Sequence, residues 1–81
     1  MKNLSEAIVD RLCFYIGKNN ISLYKLSLDS GVSSSTLKSI MQRKTKDIKL
    51  KTLIMLCNGL NITVSEFFDD ESFLFENLNL Y

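Results

Sequence analysis

The chain has no histidine, no proline and no tryptophan, and only two cysteines and three glycines in 81 residues. Each shortage closes off a class. Without histidine there is neither the usual general base near neutral pH nor the commonest zinc ligand. Cys13 and Cys57 stand 44 residues apart with no C-x-x-C neighbour. That spacing suits neither a zinc site nor the disulfide framework of a small secreted domain. Both are expected to be small buried apolar residues in a reducing compartment. No apolar run approaches the roughly 20 residues needed to span a bilayer, and the opening MKNLSEAIVD lacks the apolar segment of a signal peptide. A soluble, cytoplasmic chain without a membrane partner is expected. The length excludes a TIM barrel, a protein kinase and a doubly wound dehydrogenase. Ser35-Thr36-Leu37-Lys38 spells the S-x-x-K of serine acyl-enzymes, but its S-D-N and K-T-G companions are missing. No enzyme, cofactor, metal or small-molecule substrate is expected.

Charge of either sign is not scarce, but it is segregated. The net charge of +1 hides two opposed blocks. Residues 33–51 carry Lys38, Arg43, Lys44, Lys46, Lys49 and Lys51 against Asp47 alone, a net +5. Residues 66–81 carry Glu66, Asp69, Asp70, Glu71 and Glu76 with no base, a net −5. The basic block suits a polyanionic partner, and the acidic tail is expected to lie away from it.

The apolar period is helical nearly throughout. Asn3 with Glu6 forms a capping box that opens a first helix, whose stripe is Leu4, Ile8, Leu12 and Ile16 with Val9 and Tyr15. Gly17-Lys18-Asn19-Asn20 stops it. Ser22 caps a second helix, Leu23 to Ser30, burying Leu26 with Leu23 or Leu28, and Gly31 supplies the left-handed ending. Val32 is apolar and Ser33 caps a third helix over about 34–42, with Leu37, Ile40 and Met41 inward and Ser34, Ser35, Lys38, Ser39 and Gln42 outward. After a polar loop, Leu50, Leu53, Leu56, Cys57 and Leu60 mark a fourth helix ended by Asn61. The Thr63–Glu66 capping box starts a fifth, which carries Phe67 and Phe68. The tail fits a helix through Leu74, Leu78 and Tyr81, or a strand through FLF and NLNLY. The expected fold is all-α: five short helices over residues 1–70 with a tail over 71–81. The glycine turn between helices two and three points to a helix-turn-helix, in which the later helix projects.

The outer face of helix three is unusual. Four short hydroxyl side chains in a row are poor helix formers unless they cap or bind something. They suit either a redundant N-cap or hydrogen bonds to base edges and phosphates. The basic loop that follows would flank a DNA groove.

The stretch Ile21 to Phe68 resembles the lambda-repressor-like helix-turn-helix domain of the Cro/CI (XRE) family. The likeness is carried by Leu26-Ser27, Gly31-Val32-Ser33, Ser35-Thr36-Leu37 with Ile40, the basic KTK loop, and the ordered set Leu50, Leu53, Leu56-Cys57, Leu60, Ile62-Thr63 and Glu66-Phe67. The resemblance implies a five-helix domain that binds operator DNA as a two-fold homodimer with helix three in the major groove. By position it implies base contacts from Ser34, Ser35 and Ser39. Ser22, Thr36, Lys38, Arg43, Lys44, Lys46 and Lys49 fall in or near backbone-contacting places. The chain departs from the family at four points. Leu23 and Ser34 stand where many relatives have longer polar side chains, Arg43 where glycine is frequent, and Ile48 where proline is frequent.

The function expected is a sequence-specific, repressor-like transcriptional regulator on double-stranded DNA with an inverted-repeat operator, residues 34–42 in the groove and 43–49 on phosphates. The alternative is a protein-interaction module, such as an antitoxin or adaptor on the same fold. Its warrant is the tail, where Phe73, Leu74, Phe75, Leu78, Leu80 and Tyr81 must pack on their own domain or on a second copy.

Overall fold

A computed structural model describes residues 2–45 and 47–80. The order is strand β1 (Lys2–Asn3), helices α1 (Leu4–Asn19), α2 (Leu23–Ser30), α3 (Ser34–Met41), α4 (Leu50–Gly59) and α5 (Val64–Phe68), two 3-10 turns (Glu71–Phe73 and Phe75–Asn77), and strand β2 (Leu78–Asn79). The helix starts follow their caps. Asn3 and Thr63 each form both halves of a capping box, and Ser22 and Ser33 accept from Lys25 N–H and Thr36 N–H. The helix ends use the left-handed backbone at Asn20 (φ 52°), Gly31 (φ 79°), Arg43 (φ 60°) and Asn61 (φ 59°). Helix three therefore stops at Met41, with Gln42 as its last cap.

The core is one cluster, with Leu12, Leu26, Leu37, Leu56, Cys57 and Phe67 fully buried at its centre. Helices α2 and α4 make the most intimate contact. It depends on Gly59, because a Cβ there would stand 2.8 Å from Ser30 Cβ and 2.9 Å from its Cα and N. Arg11 ties α1 to the end of α5. Its guanidinium donates to the carbonyls of Phe67 (2.8 Å), Glu66 (2.9 Å) and Asp69 (3.2 Å), at and just past the end of the helix, where carbonyls lack i+4 partners.

Several core expectations are corrected. Leu4, Leu23, Leu28 and Leu50 are exposed. Leu4, Leu23 and Leu50 each begin their helix, where the first turn extends past the edge of the core. Leu28 follows Leu26 by two positions, which turns it to the opposite side of α2. Cys13 is also exposed, while Cys57 is buried. A cysteine's tendency to be buried gave way to its place beside Leu12, on the outward side of α1.

The tail takes neither of its two expected forms throughout. Its turns bring Phe73 against Phe68 and Phe67, with ring centroids 4.8 and 5.9 Å apart. Its end pairs in parallel with β1, Lys2 opposite Leu78 and Asn3 opposite Asn79. Arg11 faces Asp70 at 3.7 Å. Leu74 and Phe75 stay exposed. Tyr81 lies outside the described residues.

Candidate nucleic-acid interface

The face begins at the turn between α2 and α3. Val32 is buried and its N–H donates to Ser30 Oγ at 3.1 Å, so the turn is anchored from inside. Leu37 and Ile40 hold α3 to the core. At 100° per residue this sets Ser35, Lys38, Ser39 and Gln42 around the opposite side. Ser35, Lys38 and Gln42 are exposed and Ser39 is half-buried. The sequence pattern places Gln42 outward but gives it no role. Its amide can both donate and accept, the combination that reads adenine in a major groove.

The hydroxyls of residues 33–36 are not equivalent. Ser33 is the cap, and it also donates to Thr36 Oγ1 at 2.9 Å and lies 3.4 Å from Ser35 Oγ. Ser34 donates to Ser27 Oγ at 3.2 Å, and Ser27 donates to the Tyr24 carbonyl at 2.7 Å. Ser34 therefore fastens the start of α3 to α2, and in this arrangement its hydrogen points inward. Ser35 and Ser39 stand on the projecting side. Ser22 Oγ accepts the α2 cap bond at 3.0 Å, which leaves its O–H free to donate outward.

The cations separate into two sets. Lys2 and Arg43 both pair with Asp10, Lys25 with Asp29, and Arg11 with Asp70. Lys38, Lys44, Lys49 and Lys51 are exposed and make no ion pair among the described residues. These four occupy α3, the loop after it and the start of α4. Lys46 lies outside the described residues. Asp10, facing Lys2 and Arg43, is held below the ordinary carboxylate range by hydrogen bonds from both, Lys2 contributing most. The same contact raises Arg43.

The acidic tail lies elsewhere. Its first turn packs against α1, and β2 lies on β1. Among the described residues, Asn79 and Leu80 line a groove shared with Arg43 and Thr45. Among the described residues no group of histidine, cysteine or carboxylate side chains is arranged to hold a metal ion. No described helix is long and apolar enough to cross a membrane.

A glycine turn, a helix with an exposed polar face and a series of unpaired lysines follow one another along an all-α bundle. The family model for the Cro/C1-type HTH DNA-binding domain matches residues 11–72 of the chain. The chain belongs to that family. The match covers all of α2 through α5 and most of α1, and it ends within the first 3-10 turn. No curated protein and no solved structure matches the chain. This Cro/C1-type domain is thus a DNA-binding domain of the regulatory kind, and Ser35, Lys38, Ser39, Lys44 and Lys49 lie together along α3 and the segment that follows it.

Proposed function

We propose that this Cro/C1-type domain is a sequence-specific, repressor-like regulator that binds an inverted-repeat operator as a homodimer. In this reading α3 enters the major groove. Ser35 and Ser39 meet base edges, joined by Gln42, and Ser34 contributes by rotating away from Ser27. Lys38, Lys44, Lys46 and Lys49, with the hydroxyls of Ser22 and Thr36, meet the phosphates on either side. The observation that carries the reading is the set of unpaired lysines on α3 and the segment after it, while the cations elsewhere are satisfied by carboxylates or aromatic rings. Unpaired surface lysines have no ion pair to break before they meet phosphate, and they release counterions when they do. Short hydroxyls reach less far than glutamine or arginine, so readout is modest per contact and partly carried by bridging water.

Selection from a random-sequence duplex library with the purified chain tests this. Enrichment of an inverted repeat with half-sites about one helical turn apart is expected. Enrichment of no sequence would shift the assignment to an interaction module. That second reading has its own support in Leu74 and Phe75, two adjacent large apolar residues left exposed, Phe75 at 72%. If they form an interface between copies, Leu74→Ser with Phe75→Ser lowers the mass measured by light scattering to that of a monomer.

A further inference from the structure

The end of α3 carries a side chain whose partner lies on α1. Arg43 adopts the left-handed backbone at φ 60°. Its N–H donates to Ile40 O at 3.0 Å, and the N–H of Lys44 reaches back to Ser39 O at 3.1 Å. This is a Schellman ending with arginine at the position glycine fills without strain. The longer bond joins the backbones of Ser39 and Lys44, two residues of the DNA-binding face. Arg43 is the hinge between them. Its Nη2 does not point along that face but donates to Asp10 Oδ1 at 2.9 Å, and the other Asp10 oxygen holds Lys2. Lys2 lies in β1, which β2 of the tail pairs in register.

We propose that Arg43 is a positioning residue of the DNA-binding face and not a phosphate contact, with Asp10 on α1 as its anchor. The bridge holds a strained residue in the left-handed region. It thereby sets the angle at which the basic segment leaves α3, and the distance between the base-facing Ser39 and the phosphate-facing Lys44. Asp10 then contributes to DNA binding without touching DNA. A carboxylate beside a phosphate-binding arginine would otherwise only compete with the phosphate for it. The two roles therefore predict opposite signs for the removal of Asp10. The inference rests on the DNA-binding reading above.

Binding of Asp10→Asn, Arg43→Ala and Arg43→Gly chains to the selected duplex, or to random-sequence duplex at low salt, is measured across salt concentrations, with thermal unfolding in parallel. Asp10→Asn and Arg43→Ala are expected to weaken binding about threefold to fivefold, the scale of one exposed ion pair and one backbone restraint, with the salt slope unchanged. Arg43→Gly stays within about twofold of the parent, because glycine holds the left-handed backbone without the bridge. Unchanged or tighter binding by Asp10→Asn overturns the proposal. So does an Arg43→Gly chain as weak as Arg43→Ala with a slope smaller by about 0.9, the mark of a lost phosphate contact. A parent that binds no duplex overturns the DNA reading and the DNA role of Arg43 with it. Hydrogen exchange of the Lys44 amide, measured without DNA, tells that failure from failure of the clamp. Faster exchange in Arg43→Ala and Asp10→Asn than in the parent and Arg43→Gly upholds the clamp, and equal rates in all four sink it.

Discussion

Helices α2 and α3 have the same length, eight residues each, and each is capped by a serine. Each is followed by a left-handed residue, Gly31 for one and Arg43 for the other. Their surroundings differ. The end of α2 is packed: Ser30 is buried against Gly59, and a Cβ on Gly31 would lie 3.4 Å from the Met55 methyl. Past the end of α3, Gln42, Arg43 and Lys44 are exposed, and the Arg43 side chain is held by Asp10. Where the fold crowds a helix end, glycine is needed and substitution costs stability. Where solvent meets a helix end, a long cation can stand in for glycine if an ion pair offsets the strain. The end of α2 is thus fixed by packing, and the end of α3 by an ion pair, on the side where the proposed reading puts recognition.

The sharpest way to break this contrast is at Leu26, the fully buried residue of α2. Leu26→Ala is expected to lower unfolding stability by about 2–5 kcal/mol in a denaturant titration, through lost burial and the cavity left behind. Next is Gly59→Ala, where the added methyl meets the backbone of Ser30 and not a flexible side-chain end. Overpacking of this kind costs about 1–3 kcal/mol, and the unfolding temperature reports it. Gly31→Ala forces a Cβ into the left-handed region and should cost about 1–2 kcal/mol by the same measurement. An equal loss for Arg43→Gly would erase the distinction between the two helix ends.

Acid probes the clamp. Asp10 is held below its ordinary value by Lys2 and Arg43, Glu66 by the Thr63 backbone, and Asp70 by Ser72. A carboxylate depressed in the folded state adds stability that is present above its unfolded pKa and lost as pH falls through the folded one. The unfolding temperature should therefore be steady down to about pH 5 and fall below about pH 4, with a shallower fall in Asp10→Asn. The smallest effect on stability is expected on the recognition side. Lys44→Ala with Lys49→Ala should leave unfolding within about 0.5 kcal/mol of the parent. It should weaken binding to every duplex and reduce the salt slope by about 0.9 for each phosphate contact removed.

Much of the fold is legible in the chain because its signals are local. Asn3 with Glu6, Ser22, Ser33, and Thr63 with Glu66 act within three residues of themselves, so those helix starts read directly. Gly31 and Asn61 mark helix ends for the same reason. The apolar period assigns Leu12, Leu37 and Leu56 to the core, but it misplaces Leu4 and Leu50, since a stripe does not say how far the neighbouring helix extends. The projecting side of α3 was legible as Ser35, Lys38 and Ser39. The inward bond of Ser34 to Ser27 was not, because it joins two helices across a turn. Nothing in the local sequence pattern points to a role for Arg11 or Asp10. The bonds that tie them to distant elements, Arg11 to the end of α5 and Asp10 to Arg43, span 55 or more residues and 33 residues, and no local pattern marks those bonds.

By itself the sequence determined that this is a small all-α helix-turn-helix chain with a basic segment after its third helix. Caps, helical period and the order of charges are properties of neighbours along the chain, and they survive whatever the rest of the molecule does. Tertiary structure decided which cations stay unpaired. Arg43 and Lys44 are adjacent and look alike in sequence. One turns to a carboxylate on α1 and the other stays in solvent. An ion pair depends on distances of a few ångströms between residues far apart in the chain, and only packing α1 against the end of α3 sets those distances.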